Sequence, residues 1–174
     1  KANKFLKNKN LNFTPTLNID AIEVFQKIKK TTKHLGEFFN VMSGIKEYQT
    51  GKGKPPQVPE DKSERRYNAS YKKDETYIKE IRGKHVQRYS LEWKNEYVSY
   101  GKWLAEPRNP VYFEGKRFLI RQIPSKNSLI ACYTDEYYIV DQSAYIVKPK
   151  DEGLFNKGIL GILNSKLIFW FYRN

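Results

Sequence analysis

Cysteine and histidine are scarce in this sequence. Cys132 is the single cysteine, and His34 and His85 are the two histidines among 174 residues. One thiol excludes an internal disulfide framework and a thiolate cluster around a structural metal, as is typical of intracellular proteins. A nucleophilic Cys132 would need a histidine beside it in space, whereas its apolar surroundings favour a buried small side chain.

Long hydrophobic runs are also absent. Residues 1–10 are basic without the apolar core of a signal sequence, and the apolar run near the C-terminus is interrupted by Asn164, Ser165 and Lys166. No segment predicts an amphipathic helix with one strongly basic and one apolar face. We therefore expect a soluble cytoplasmic chain with no membrane partner. The missing initiator methionine indicates a piece of a longer parent protein.

Acidic residues are in deficit. Aspartate and glutamate number 19 against 32 lysines and arginines, which gives a net charge of +13 and a pI of about 9.6. A basic excess is the electrostatic signature of a protein that binds a polyanion. The apolar fraction of 39%, with 15% aromatic residues, is enough for one hydrophobic core. We predict a single domain over residues 20–174, preceded by an arm.

Hydrophobic periodicity predicts an α+β fold, in which helices flank a twisted sheet that is mixed or antiparallel. Lys1–Ile19 is predicted to be a basic arm or linker. Helices are predicted over residues 20–34, where Asp20 would cap the first turn, and over residues 153–173. Glycine and proline predict a mobile basic loop over residues 46–60.

The sheet is predicted to lie mainly within residues 83–147, with a hairpin turn at Ser125–Ser128. The predicted strands are Leu35–Ile45, His85–Leu91, Tyr97–Tyr100, Phe118–Ile123, Leu129–Tyr133 and Tyr137–Val147.

Basic and aromatic residues interleave most densely in the stretch Gly83–Ile123. Cations there can contact phosphates, and the arginine and glutamine side chains can form paired hydrogen bonds with purine edges in the major groove. The alternative is an ordinary sheet, with aromatic residues in its core and a solvated basic face. The cations in question are Lys84, Arg88, Lys94, Lys102, Arg108, Lys116, Arg117 and Arg121.

Five blocks of sequence follow one another in an order that resembles a known family. They are GKHVQRYSLEW, YVSYGKWLAEPR, FEGKRFLIRQI, LIACYTDEYYIVDQS and ILGILNSKLIFWFYR. From about Leu35 to Arg173, the chain resembles the C-terminal specificity domains of TaqI-like adenine DNA methyltransferases and type IIG restriction-modification enzymes. The resemblance implies a prokaryotic target recognition domain that binds double-stranded DNA beside a methyltransferase domain of the same parent chain. It implies no cofactor in this fragment, with S-adenosylmethionine, and Mg²⁺ for any nuclease, bound elsewhere in the parent.

Catalytic motifs are incomplete. The KPPQ segment is similar to the Asn-Pro-Pro-Tyr motif of adenine methyltransferases, but Lys54 cannot accept hydrogen bonds from the target amino group and Gln57 cannot stack on a flipped base. GKGK lacks the order of a phosphate-binding loop, and no S-adenosylmethionine loop is present. Glu114-Gly115-Lys116 supplies only part of a magnesium nuclease motif, because no upstream aspartate accompanies it. We predict that this fragment is not an enzyme by itself.

Candidate DNA-binding residues come from three segments. The resemblance implies that the GKHVQRY block and the LIRQI strand face DNA, and we expect the loop over residues 46–60 to reach the groove. Strand alternation would send Gln87 and Arg88 to opposite faces unless a bulge intervenes. The candidates are Gln49, Lys52, Lys54, Lys84, His85, Gln87, Arg88, Tyr89, Arg121 and Gln122.

Three other roles could use the same residues. A module for RNA or single-stranded DNA would stack bases on Tyr48, Tyr89 and Trp93. A protein-interaction module would use the same basic and aromatic surface, and a type I specificity subunit would serve a methyltransferase on a separate chain. A preference for duplex DNA over single strands separates the first of these roles from a target recognition domain.

Overall fold

The computed structural model describes residues 19–173. The predicted basic arm therefore lies outside the described residues, except for Ile19, which begins the first helix. The described part is an α+β fold in which helices accompany two four-stranded sheets. The predicted fold class is confirmed, although the strands form two sheets rather than one.

Eight strands lie within residues 19–173. They are β1 (Phe39–Ser43), β2 (Asn68–Ala69), β3 (Tyr77–Ile81), β4 (Tyr97–Ser99), β5 (Arg117–Arg121), β6 (Ala131–Thr134), β7 (Ile139–Val140) and β8 (Ala144–Pro149). The first sheet has the order β1-β8-β5-β6 and is antiparallel throughout. The second has the order β2-β4-β3-β7, in which only the β3–β7 pair is parallel.

The short stretch between β7 and β8 connects the two sheets. One strand is predicted over Tyr137–Val147, but the structure interrupts it at Asp141, whose Oδ1 accepts a hydrogen bond from the Ser143 backbone at 2.9 Å. A carboxylate that bonds the backbone two residues ahead stabilises a turn. The turn passes the chain from the second sheet to the first, and the Gly83 backbone donates to the Ser143 hydroxyl at 2.6 Å.

Five α-helices occur in the same part of the chain. They are α1 (Ile19–Thr31), α2 (Leu35–Phe38), α3 (Pro59–Ser63), α4 (Gly158–Leu163) and α5 (Lys166–Arg173). The longest, α1, has 13 residues, and no helix of the described residues is long and apolar enough to cross a bilayer.

Two predicted helices and the start of one predicted strand are corrected by the structure. α1 ends at Thr31 rather than near His34, and Asp20 lies inside its first turn instead of capping it. Leu35–Phe38, predicted as the start of a strand, forms α2. The predicted helix over residues 153–173 divides into a 3₁₀ turn, α4 and α5, because Asn164 between the two helices hydrogen bonds to a strand of the first sheet.

The predicted strand His85–Leu91 is a turn. Gln87 N donates to Ser90 O at 2.9 Å, and Tyr89 has a φ of +74°. A left-handed residue reverses the chain, so extended pairing is reduced to an isolated bridge between Val86 and Leu91. The other predicted strands of the region match β4, β5 and β6, with the hairpin turn closed by a hydrogen bond from Ser125 N to Ser128 O.

Both faces of the β5–β6 hairpin carry buried residues. Neighbouring residues of a strand point to opposite faces. Leu119 packs with Ile81 and Ile139 in the larger hydrophobic cluster, whereas Phe118 packs with Leu160 and other residues in a smaller cluster that includes α4. The β5–β6 hairpin is therefore fixed from both sides, which gives the polar residues at its end a rigid support.

Candidate nucleic-acid interface

The basic loop, which we define as residues 46–57, is organised by Gln57. This side chain is 3% exposed. Its Nε2 donates to Glu47 O at 2.8 Å and to Trp103 O at 2.7 Å, while its Oε1 accepts from Gln49 N at 2.8 Å. Three hydrogen bonds to the backbone from one buried amide hold the loop in one conformation, so the expectation of a mobile loop is wrong. Its predicted extension to residue 60 is also shortened, because α3 begins at Pro59.

The basic loop displays its predicted DNA-binding residues. Gln49, Lys52 and Lys54 are all exposed. Lys54 N donates to Lys102 O at 2.9 Å, which places exposed Lys102 beside the loop. Within residues 19–173, none of the three lysines forms an ion pair. The three ammonium groups are available to a polyanion.

The backbone at position 53, in the middle of the basic loop, requires a glycine. Its φ is +86°, and a Cβ built there would lie 2.3 Å from Trp103 O. Trp103 is itself held by a hydrogen bond from its Nε1 to Ser99 O at 2.9 Å. A side chain at position 53 would therefore push the loop off its support.

The other candidates, except His85, meet along the β5–β6 hairpin. We call the group Lys84, Gln87, Arg88, Tyr89, Arg121 and Gln122 the hairpin edge. Ser143 joins two of its segments, because Gly83 N donates to Ser143 Oγ and Gln122 N donates to Ser143 O. Arg121 N and Tyr89 N donate to the consecutive carbonyls of Ile130 and Ala131, both at 2.9 Å. Residues distant in sequence thus form one continuous edge.

Residues 87–90 form a turn, so the alternation of a strand does not send Gln87 and Arg88 to opposite faces. Because these residues are not in a strand, Arg88 and Tyr89 are both exposed. The Arg88 guanidinium carbon lies 5.2 Å from the centre of the Tyr89 ring. Gln87 is half-buried, and its Nε2 donates to Lys84 O at 3.1 Å, so it braces the turn.

The remaining members of the hairpin edge are accessible to different degrees. Lys84 is exposed and forms an ion pair with Glu96. Gln122 is exposed, whereas Arg121 is half-buried. The edge therefore offers an arginine and an amide at adjacent positions of the strand end, the two groups that pair with purine edges.

His85 does not belong to either surface. It is 0% exposed, and its Nδ1 accepts a hydrogen bond from Arg82 N at 3.2 Å. An accepting Nδ1 leaves the proton of the neutral ring on Nε2, which lies 3.5 Å from Glu96 Oε1. The prediction that His85 contacts DNA is wrong, because the 3₁₀ turn Gly83–His85 points it into the core.

Stability is expected to depend on pH through His85. Burial lowers the pKa of His85, although the Glu96 carboxylate acts in the opposite direction. In the unfolded chain a histidine takes up a proton near pH 6.5, so below that pH the unfolded state binds more protons. The free energy of unfolding should therefore fall as pH is lowered from about 7.5 to 5.5, by at most about 1.4 kcal/mol per unit from this group.

Urea unfolding at several pH values measures this dependence. His85→Gln should flatten the curve between these pH values relative to the wild-type chain. His34→Gln is the matched control, because it replaces the other histidine of the chain, which is exposed. Equal slopes for the wild type and His85→Gln would contradict the assignment.

Arg117, predicted to contact a phosphate, serves the fold instead. It is 0% exposed and donates to Gly115 O at 2.8 Å and Glu136 O at 2.6 Å, so the prediction is wrong. Arg108 donates to Gly44 O and to Ser43 Oγ, which fastens the loop after β4 to the end of β1. Its side chain is 30% exposed, and its phosphate contact stays a prediction.

A buried ionic network lies beneath the hairpin edge. Arg82 Nη2 donates to Glu47 Oε1 at 2.6 Å and Glu80 Oε2 at 3.0 Å, and Arg82 Nε lies 3.0 Å from Glu96 Oε2. Burial and the neighbouring Glu47 carboxylate raise the pKa of Glu80 well above its ordinary value. Burial acts to raise the pKa of Glu47 too, but the Glu80 carboxyl and Arg82 lower it overall. A raised pKa favours the neutral form of Glu80, which repels the neighbouring acids less.

Sequence reasoning missed two residues that organise the surfaces. In the sequence, Gln57 stands out only as a residue of KPPQ that cannot stack on a base. Asn164 stands out only because it interrupts an apolar run. A polar residue at an apolar position of a helical pattern is a signal of a buried hydrogen bond, and it marks Asn164. No pattern marks Gln57, since its partners are backbone groups distant in sequence.

Within residues 19–173, no group of three His, Cys, Asp or Glu side chains is arranged to hold a metal ion.

A family model described as the TaqI-like C-terminal specificity domain matches residues 65–174. The match covers more than half of the chain and contains the whole hairpin edge, while the basic loop precedes it. No curated protein matches the sequence.

Proposed function

Because the chain belongs to the TaqI-like C-terminal specificity domain family, we propose that it reads a short sequence in double-stranded DNA for a methyltransferase domain of the same parent protein. A specificity domain selects the site and does not itself catalyse. The family match over residues 65–174 carries this proposal, since it includes every residue of the hairpin edge.

The two surfaces divide the work. Lys52, Lys54 and Lys102 are exposed cations on a fixed support, and cations that replace counterions on phosphates give affinity that decreases with salt. The hairpin edge supplies arginine and glutamine, whose paired hydrogen bonds to purines discriminate by about 1–3 kcal/mol each. The basic loop would position the duplex while the hairpin edge reads it.

The chemistry would take place outside this chain. In the parent, a methyltransferase domain would bind S-adenosylmethionine and modify an adenine, and any nuclease domain would use Mg²⁺. The contribution of this domain is free energy of binding that is gained only on the correct site. Closure on that site would favour the productive orientation of the neighbouring domain.

The deciding experiment selects randomised duplexes that bind the chain at low and at moderate salt, with single-stranded DNA and RNA as competitors. We expect enrichment of one short asymmetric sequence that persists when the salt is raised. Binding without sequence preference that disappears with salt, or better competition by RNA, would contradict the proposal.

Single substitutions separate reading from positioning. Arg121→Ala is expected to relax discrimination at one base pair, whereas Lys54→Ala should weaken binding to all sequences equally and reduce the slope of log K against log salt by about 1. Both are measured by competition binding with single-base variants of the selected duplex. A uniform loss for Arg121→Ala would reassign it to a phosphate.

The stacking alternative has less support. Tyr48 is stacked on Tyr67 with ring centres 5.4 Å apart, and its hydroxyl donates to Asn68. Trp93 is half-buried and donates to Glu96 O. Of the three aromatic residues that would hold single-stranded bases, Tyr89 alone is an exposed side chain.

A further inference from the structure

Asn164 is a buried polar residue at the junction of α4 and α5. It is 0% exposed. Its Oδ1 accepts a hydrogen bond from Ala131 N and its Nδ2 donates to Ala131 O, both at 3.0 Å. A side-chain amide that pairs with both backbone groups of one residue replaces a neighbouring strand at the sheet edge. β6 is an edge strand, so Asn164 fixes its first residue.

The same two residues hold the turn of the hairpin edge. The backbone carbonyl of Asn164 accepts a hydrogen bond from Arg88 Nη2 at 3.0 Å. The carbonyl of Ala131, already bound by Asn164, also accepts from Tyr89 N at 2.9 Å. The guanidinium of Arg88 and the backbone of Tyr89 therefore both depend on the Asn164–Ala131 pair.

Tyr89 is held in a conformation that tyrosine rarely adopts. Its φ is +74°, and its side chain is 51% exposed. A non-glycine residue in the left-handed region persists only where its surroundings enforce it, and such residues cluster at functional sites. A ring that served only stability would be buried. Here the strained backbone presents an aromatic ring to the solvent, with a guanidinium over it.

We propose that Arg88 and Tyr89 form a platform on which a nucleobase that has left the helical stack is held, and that Asn164 is the positioning residue of this platform. The proposal rests on the proposed function. Aromatic rings and guanidinium planes bind the faces of bases without regard to sequence. An unstacked base exposes such a face.

Unstacking is easiest where a base is already mismatched. The chain should therefore bind the selected duplex more tightly when a mismatch is placed at one particular position, found by moving a single mismatch through the site. Tyr89→Gly should lose this gain and bind the matched duplex about ten-fold more weakly. Its melting temperature should be unchanged or higher, because glycine adopts a φ of +74° without strain.

Control variants separate the ring from the fold. Tyr89→Phe keeps the flat ring and should retain the mismatch preference. Tyr71→Ala removes a somewhat more exposed tyrosine outside both surfaces and should change neither affinity nor preference. If Tyr89→Gly keeps the mismatch preference, or if its melting temperature falls while Tyr89→Phe also loses affinity, the platform is wrong.

Asn164 is tested by coupling. Asn164→Ala should lose the mismatch preference, and Tyr89→Gly/Asn164→Ala should lose no more affinity than the weaker-binding single variant, because both changes remove the same contact. Should Asn164→Ala fail to fold, Asn164→Asp is used. A buried aspartate stays protonated and can still bond both Ala131 groups, so it should retain the preference at pH 6 and lose it as pH rises.

The two proposals fail in different ways. If the wild-type chain enriches no sequence, the proposed function itself is contradicted. If it enriches a sequence but no mismatch position strengthens binding, only the platform is overturned. Additive losses in the double variant would leave Asn164 as a purely structural residue.

Discussion

Arg82→Met is expected to destabilise the folded chain by about 3–5 kcal/mol, the cost of breaking a buried ion pair by removing one partner. The Arg82 side chain is 19% exposed, and its partners Glu80 and Glu47 are 1% and 11% exposed. Without the guanidinium, the Glu47 carboxylate loses its cation in a poorly hydrated site, and Glu80 loses a hydrogen-bond donor. Urea unfolding at pH 7 measures the loss.

Two controls make this result specific. Lys72→Met removes a surface cation whose partner Glu75 is 94% exposed, so the change should stay within about 0.5 kcal/mol. Glu80→Gln should be tolerated far better than Arg82→Met, because burial and Glu47 raise the pKa of Glu80 and so favour a neutral side chain at this position. Equal losses for the Arg82 and Lys72 variants would contradict the account of the network.

The network also bears on recognition. Arg82 donates its backbone N–H to His85, and the 3₁₀ turn that follows leads directly to the hairpin edge. Loss of the Arg82 side chain should therefore loosen the turn that carries Arg88 and Tyr89. The buried Arg82 network would thus help to position the exposed Arg88 and Tyr89 side chains.

Gln57→Ala is expected to destabilise the chain by about 2–4 kcal/mol, because it leaves three backbone groups without the partner that a buried amide supplies. These groups are Gln49 N, Glu47 O and Trp103 O. Since the same amide fixes the basic loop, affinity for DNA should also fall, by about ten-fold if one phosphate-contacting surface is dispersed. Urea unfolding and competition binding measure the two effects.

The matched control is Gln49→Ala, at an exposed glutamine of the same loop. Its stability should stay within about 0.5 kcal/mol of the wild type. A folded Gln57→Ala variant whose affinity and salt dependence equal those of the wild type would show that the loop does not contact DNA. The basic loop would then have only a structural role, in its contact with Trp103.

Local sequence patterns are sufficient to predict several secondary-structure elements. The β-branched and aromatic run at β5, the serine-rich turn after it and the strand that follows were predicted from composition and spacing, because a hairpin is specified by residues close in sequence. Local composition also predicts a strand over His85–Leu91, and that prediction is wrong. There, a hydrogen bond from Tyr89 N to Ala131 O, across about forty residues of chain, enforces a turn.

The candidate site was predicted less well than the fold. The GKHVQRY block contains both a buried residue, His85, and exposed ones, Arg88 and Tyr89. Composition treats these side chains alike, because it carries no information on which direction each one points in a turn. In the same way Arg117 was predicted as a phosphate contact, although its strand position places it inside.

The sequence by itself determined the basic character of the chain, its α+β class, its hairpin and its resemblance to a family of specificity domains, since each depends on composition or on local order. Tertiary structure alone decided that Gln57 and Asn164 organise two polar surfaces and that Arg82 contacts three acidic side chains. These roles are hydrogen bonds and ion pairs between residues distant in sequence. Whether a polar side chain is exposed to bind DNA or buried to hold the fold depends on which groups surround it after folding.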